Sequence, residues 1–431
     1  MKPAYRLLLI SAGLASAPAL GQQPMPVIAV PPLTTPDDKS TGAGSTLNVA
    51  WQASQLIAQD LRSTGEMMAI PPSQKDYYSY PEVTAPSFAR WRQTGAKALL
   101  AGFVRAQADG RLAVGCYLYD VDKGRELGRI GFAVAADDWR RAAHKCSGMA
   151  YQSLTGSPGT FDTTIAYVAE TGSGSARVSR IAVMDSDGQG HDYVTPGGTM
   201  TLTPRLSPKA DRLAFVSYLG GTPHIRIIDL ASGNQRPLLP NSIAMSFAPR
   251  YSPDGTQIAF SMMTGGNSDI YVVGANGGIP RRLTSAPGID TDPSFSPDGR
   301  RILFESDRSG SQQLYVMNAD GSDQRRISFG GGWYGSPAWS PDGERIAFTR
   351  RGSDGLRVGM MNADGSDQKV LTSGPRDEGP AWAASSREII FQRTDAYQRS
   401  GIYRLALSGG QPRKVQVPQD GSDPDWSGAR D

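Results

Sequence analysis

The sequence predicts an α/β N-terminal domain followed by an all-β six-bladed β-propeller, closed by a C-terminal strand. Three observations predict it. A phrase written PRYSPDGTQIAFSM at residues 249–262 returns as PSFSPDGRRILFES at 293–306 and as PAWSPDGERIAFTR at 337–350. Its copies, aligned on Ser207, Ser252, Ser296, Ser340, Ala383 and Ser427, are spaced by 45, 44, 44, 43 and 44 residues. A period of that size, with several short strands per unit, marks propeller blades. The second strands, around Ile165, Leu213, Ile258, Ile302, Ile346 and Ile389, also number six, yet no first strand precedes Ile165. The last copy, at residues 423–427, supplies it, so the tail gives the innermost strand to a blade whose other strands lie at about 163–196.

The elements follow in chain order. MKPAYRLLLISAGLASAPALGQQ carries Lys2 and Arg6, an apolar stretch over residues 7–15, and small residues suited to cleavage after Ala19 or Gly21. It is read as a secretory signal peptide over residues 1–21, its apolar core too short to span a bilayer. The mature chain is therefore expected beyond the inner membrane.

Residues 22–157 alternate between helix and strand. PVIAV is a strand. STLNVAWQASQLIAQDLRSTG is a helix with Ser45 as N-cap, Leu47, Trp51, Ile57 and Leu61 along one stripe, and Gly65 past its end. MMAI is a second strand, a short helix covers about 87–93, and ALLAGFVRAQ, LAVGCYLYDV and RELGRIGFAVA are strands joined by Gly-containing turns. Asp137 or Asp138 is expected to cap the helix WRRAAHKCSGMAYQSLTG, with Gly156 closing it. The chain's two cysteines fall here. Cys116 shares a strand face with Leu112, Val114 and Leu118, and Cys146 a helix face with Trp139, Ala142 and Met149. In an exported protein they can form a disulfide or pack as thiols, and the sequence leaves both open.

Residues 158–431 form the propeller. In each unit an aromatic or Leu (Leu206, Tyr251, Phe295, Trp339, Trp382, Trp426) ends a first strand, and SPDG reverses the chain in a type I turn. The second strand is apolar at successive positions because neighbouring blades cover both its faces. The third ends in a DSDG- or NADG-type hairpin at Asp185, Asn318 or Asn362, and the fourth is a polar outer edge. Those hairpins lack the glutamate of a calcium loop and are read as turns.

Charge is close to balanced. Lys and Arg number 44 against 41 Asp and Glu, and without Lys2 and Arg6 the difference is 42 − 41 = +1. That balance gives no electrostatic reason for a nucleic-acid partner or an anionic membrane surface. Catalytic patterns are missing too: no G-x-S-x-G or H-E-x-x-H occurs, and the histidines are His144, His191 and His224 alone. The reading is of a monomeric protein with no catalytic residues, no cofactor and no metal ligands. Two alternatives stand beside it, an exported propeller hydrolase and a ligand-binding propeller.

What remains is a binding surface. The segments entering the innermost strands, MTLTP, MSFAP, IDTDP, YGSP, DEGP and GSDP, converge by ring geometry at one mouth of the central channel, with a composition suited to a protein partner.

The leader, the junction DDWRRAAHKCSGMAYQSLTGSPGTFDTTIAYVAE and the six WSPDG…RIAF…YVMNADG units together resemble the TolB family, periplasmic components of the Tol-Pal system. The resemblance covers essentially all of the mature chain. It implies a non-enzymatic periplasmic protein whose propeller mouth binds the peptidoglycan-associated lipoprotein Pal and whose N-terminal part communicates with TolA. Peptidoglycan and the outer membrane are engaged indirectly, in maintaining outer-membrane integrity and its invagination at cell division. Carried onto this chain, the Pal-facing positions are Met245, Ser246, Asp290, Thr291, Asp292, Tyr334, Asp377 and Glu378. One departure concerns TolA: family members carry a strand-forming arm after the leader, whereas here QQPMPVIAV follows almost at once, so a nearly absent arm is expected.

Overall fold

Each copy of the repeat builds one four-stranded antiparallel blade. The structure, a computed structural model, describes residues 25–172 and 177–429; the leader read over residues 1–21 lies outside them. Among the described residues no helix is long and apolar enough to cross a membrane.

The α/β part holds strands β1 (Val27–Ala29), β2 (Met68–Ile70), β3 (Ala98–Ala106), β4 (Leu112–Asp120) and β5 (Arg125–Val134), in the sheet order β2-β1-β3-β4-β5. β1 runs parallel to β2 and β3, and the remaining pairs are antiparallel. Helices α1 (Thr46–Ser63) and α3 (Trp139–Thr155) pack together on one face over Ile28, Leu100, Val104, Val114 and Leu118. The short α2 (Phe88–Arg92) seats Trp91 on the other face, with Leu99 and Tyr119.

Ser45 caps α1 as expected, its hydroxyl accepting from Asn48 N–H at 3.2 Å. The apolar stripe needs correction. Ile57 and Leu61 are buried, but Leu47 is exposed and Trp51 half-buried against Tyr77, because the face turned to the sheet runs through Val49, Ala50, Ala53 and Leu56. Nor does Asp137 or Asp138 cap α3. The 3₁₀ turn Ala136–Asp138 runs straight into the helix, holding Asp138 at φ −83°, ψ 11° instead of the extended backbone a capping side chain needs. Gly156 ends α3 in the left-handed region at φ 75°. Cys116 and Cys146 are bridged, tying α3 to β4 across a Cα separation of 5.9 Å.

Six blades follow among the described residues. Five are built from consecutive strands. The sixth is split: Asp420–Ala429 lies antiparallel to Thr163–Thr171, followed outward by Val178–Asp185 and Asp192–Tyr193. Trp426 Nε1 donates to Thr163 Oγ1 at 2.8 Å, and Ser427 Oγ accepts from Thr164 N–H at 2.8 Å, fastening the tail to the first propeller strand. The SPDG phrase also has a physical meaning. Ser252, Ser296 and Ser340 each donate to the Asp two residues on at 2.5 Å, while accepting an N–H of the next strand at 2.9 Å.

Each innermost strand carries a bulge near its middle. Two residues, the second a proline, oppose one aromatic of the second strand: Thr203-Pro204 faces Phe215, Ala248-Pro249 faces Phe260, and Asp292-Pro293 faces Phe304. In the other three blades Ser336-Pro337 faces Phe348, Gly379-Pro380 faces Phe391, and Asp423-Pro424 faces Tyr167. These six aromatics are the largest fully buried side chains.

Candidate functional site: the channel mouth

The bulges shape the channel. The residue before each proline has a left-handed backbone, with φ of 45° at Thr203, 51° at Ala248, 50° at Asp292, 48° at Ser336, 62° at Gly379 and 49° at Asp423. That conformation costs an L-residue roughly 1–2 kcal/mol and is disfavoured before proline as well. Five strained copies of one position, with a glycine at the sixth, indicate an imposed geometry around the ring. All six residues line two clefts at the mouth. One, of about 370 Å³, is polar and holds Ser336, Gly379 and Asp423 beside Glu170, Arg177, Arg376, Glu378 and Gln392. The other, of about 400 Å³, holds Thr203, Ala248 and Asp292 with Leu202, Tyr218, Phe247 and Thr291.

Lining and adjoining the clefts is a network of acids and arginines. Asp423 accepts from Thr203 N–H at 3.2 Å, and burial pushes its carboxyl up. Asp425 accepts from Leu206 N–H at 2.8 Å and from Arg250 Nη1 at 3.2 Å. Burial, then the neighbouring Arg205, lowers the Arg250 guanidinium to about 10. Glu305 is buried and accepts from Ser336 N–H and Gln312 Nε2; burial first, and the Asp292 carboxylate second, push it well above the usual carboxylate range. Burial likewise raises Glu378, with Arg376 acting against it.

The eight positions carried over from the family divide into two groups. Met245, Thr291, Asp292 and Glu378 reach the mouth, Met245 exposed and the others half-buried. Ser246, Asp290, Tyr334 and Asp377 are buried and hold the loops together. Ser246 Oγ accepts from Ile225 N–H at 3.0 Å, and Tyr334 donates to Gln368 Oε1 at 3.2 Å. Asp290 pairs with Arg308 Nη2 at 2.8 Å, and Asp377 takes Arg393 through two bonds of 2.6 and 2.9 Å.

Sequence reasoning missed an apolar rim. Leu219, Ile243, Met263, Phe329 and Tyr397 join Met200, Met245 and Ile289 as exposed large side chains. By strand direction all eight sit at the mouth end of the blades, seven in loops and Met263 near the end of the strand Gln257–Thr264. Leu219, Ile243, Phe329 and Tyr397 occupy loops between strands, where the aligned phrase gives no signal.

The opposite end of the ring is covered by the α/β part. Arg387 Nη1 meets both carboxylate oxygens of Glu66 at 2.9 Å, with Tyr151 donating to Glu66 at 2.7 Å, and Arg140 reaches Asp187 at 2.5 Å. Nearby, Asp60, His144 and Ser147 are the residue types of a hydrolytic triad, but their geometry is not one. Ser147 Oγ donates to Asp60 at 2.7 Å instead of to the imidazole, and all three are buried.

Comparison with known proteins places this architecture. Residues 151–430 match the TolB beta propeller domain family, and residues 20–127 match the TolB amino-terminal domain family. The Tol-Pal system protein TolB of Roseobacter denitrificans is 51% identical over 435 residues, covering 98% of each chain. With the protein of the same name from Zymomonas mobilis, identity is 49% over 214 residues; that match takes in 50% of this chain and spans only about half of the relative, 46% of its length. The crystal structure of TolB from Acinetobacter baumannii superposes with a TM-score of 0.76 at 26% identity, covering 94% of this chain and 97% of that one.

Proposed function

The chain belongs to the TolB family of the Tol-Pal system, and from that premise we propose that it is a non-catalytic periplasmic adaptor that takes Pal at the channel mouth and relays to TolA through its α/β part. In this role it supports outer-membrane integrity and invagination during division. Residues 158–431 are the binding part and residues 22–157 the relay.

One observation carries the reading: a rim of eight exposed apolar side chains gathers at the mouth end of the blades, the end that the α/β part leaves uncovered. Scattered apolar side chains are ordinary on a protein surface, but a set gathered at one end around polar clefts fits a protein partner. Met245, Thr291, Asp292 and Glu378 lie within that rim as contacts, and Ser246, Asp290, Tyr334 and Asp377 act beneath it as supports.

Titration of the mature protein with purified Pal in a calorimeter tests this. Saturable one-to-one binding is expected, weakened about tenfold or more by the double change Met245→Ala and Ile289→Ala, as loss of central apolar contacts does in other interfaces, with an unchanged melting temperature. Absence of binding at micromolar concentrations and low salt would sink the proposal.

A further inference from the structure

His144 is fully buried where α3 meets the hairpin that follows the strand Val178–Asp185. Its Nδ1 lies 2.8 Å from Asp60 Oδ2, the oxygen that also accepts from Ser147. A carboxylate accepts a hydrogen bond from the ring nitrogen it faces, so Nδ1 carries a hydrogen and Nε2 is the nitrogen left to offer a lone pair to a metal. That Nε2 is buried and has no hydrogen-bond partner. It looks towards Asp187 Oδ2, 3.9 Å away. One donor atom from each of His144, Asp185 and Asp187 lies within 4.8 Å of the others.

We infer that His144, Asp185 and Asp187 form a binding site for one divalent transition-metal ion such as Zn²⁺. Three features of the geometry support it. A carboxylate on the far ring nitrogen is the arrangement that orients metal-binding histidines and fixes their tautomer. An imidazole with two carboxylates offers a nitrogen donor and two negative charges, which suits Zn²⁺ better than the all-oxygen cations Ca²⁺ and Mg²⁺. The carboxylates keep a path to solvent, with 18% and 12% of the Asp185 and Asp187 side chains exposed.

Bonds of about 2.0–2.2 Å to nitrogen and oxygen require the three donors to draw in by roughly 1 Å. Arg140 is the competitor. Its Nη2 sits 2.5 Å from Asp187 Oδ2 and its Nε 3.9 Å from Asp185 Oδ2, so it is a cation that a metal ion would have to displace from the two carboxylates. An incoming ion displaces this guanidinium. Because His144 belongs to α3 and the two aspartates to the propeller, the bound ion clamps the two parts of the molecule together.

The test titrates Zn²⁺ into the chelator-stripped full chain and into three variants, followed by calorimetry and by the visible spectrum of a Co²⁺ substitute. The parent is expected to bind one equivalent, Asp187→Asn and Asp185→Asn to lose at least tenfold in affinity, and Arg140→Gln to gain, since the competing charge is gone. The Co²⁺ spectrum should show a nitrogen ligand. His144→Ala would strand the buried Asp60, so the aspartate and arginine variants, which sit at the accessible edge, carry the decision. No saturable Zn²⁺ binding overturns the site. So does binding that Asp187→Asn leaves unchanged, or Ca²⁺ bound as tightly as Zn²⁺. None of these outcomes touches the binding of Pal at the other end of the ring.

Discussion

Glu305 shows what a single residue at the mouth can report. Its carboxyl is pushed up in the folded chain by burial and by Asp292, and in the unfolded chain it titrates near its ordinary 4.5. Between those two values the folded state keeps a proton that the unfolded state has released, so stability falls as pH rises from about 4.5 and levels off once the buried carboxyl has ionised. Glu305→Gln removes the effect. Its melting temperature relative to the parent should climb through that interval and run parallel to the parent's below it; parallel behaviour at every pH would show that Glu305 is not the source. Residue-scale partnerships of this kind were the least legible part of the sequence. Asp290 and Asp377 read as exposed acids of a binding loop, yet they are buried because Arg308 and Arg393, 18 and 16 positions along the chain, return to meet them. No local pattern announces a partner that only the blade's hairpin brings back.

At the scale of the element, the bulge decides the geometry of the mouth. Gly379 is the one glycine among the six left-handed positions, and a Cβ built there meets nothing within 4 Å. Gly379→Ala therefore isolates backbone strain and is expected to lower stability by about 1 kcal/mol. The reverse change at φ 51°, Ala248→Gly, should raise stability by up to about 1 kcal/mol in urea unfolding. If both variants unfold as the parent does, the strain has been assigned wrongly. The SPDG turn, the apolar second strand and the polar fourth strand could all be read from the repeat, because each follows from turn chemistry or from burial on both faces. The bulge could not, since its key residue precedes a proline, where local rules disfavour the conformation it adopts. The helices split the same way. Ser45 was legible as a cap, but the 3₁₀ turn that displaces Asp138 from that role was not.

For the molecule as a whole, closure of the ring is the controlling contact, and it was legible by arithmetic: six second strands with one first strand displaced to the tail. Trp426, buried and bonded to Thr163, anchors it. Trp426→Ala is expected to cost about 3–5 kcal/mol, in the range for large buried aromatics, and removal of residues 420–429 should lower and broaden the thermal transition. A truncated chain that melts as sharply and as high as the parent would mean that the ring does not depend on its seal.

That seal also sets an order of events. Trp426 lies 263 positions after the threonine it grips. A chain synthesised from its N-terminus presents the strands Thr163–Thr171 and Val178–Asp185 first among the blades, while the strand that completes their blade comes last. The earliest blade to arrive thus stays half-dressed for the entire passage of the other five, and contacts so distant in sequence form slowly. Until the tail arrives, the inner edge of Thr163–Thr171 is the one blade edge left without its partner strand.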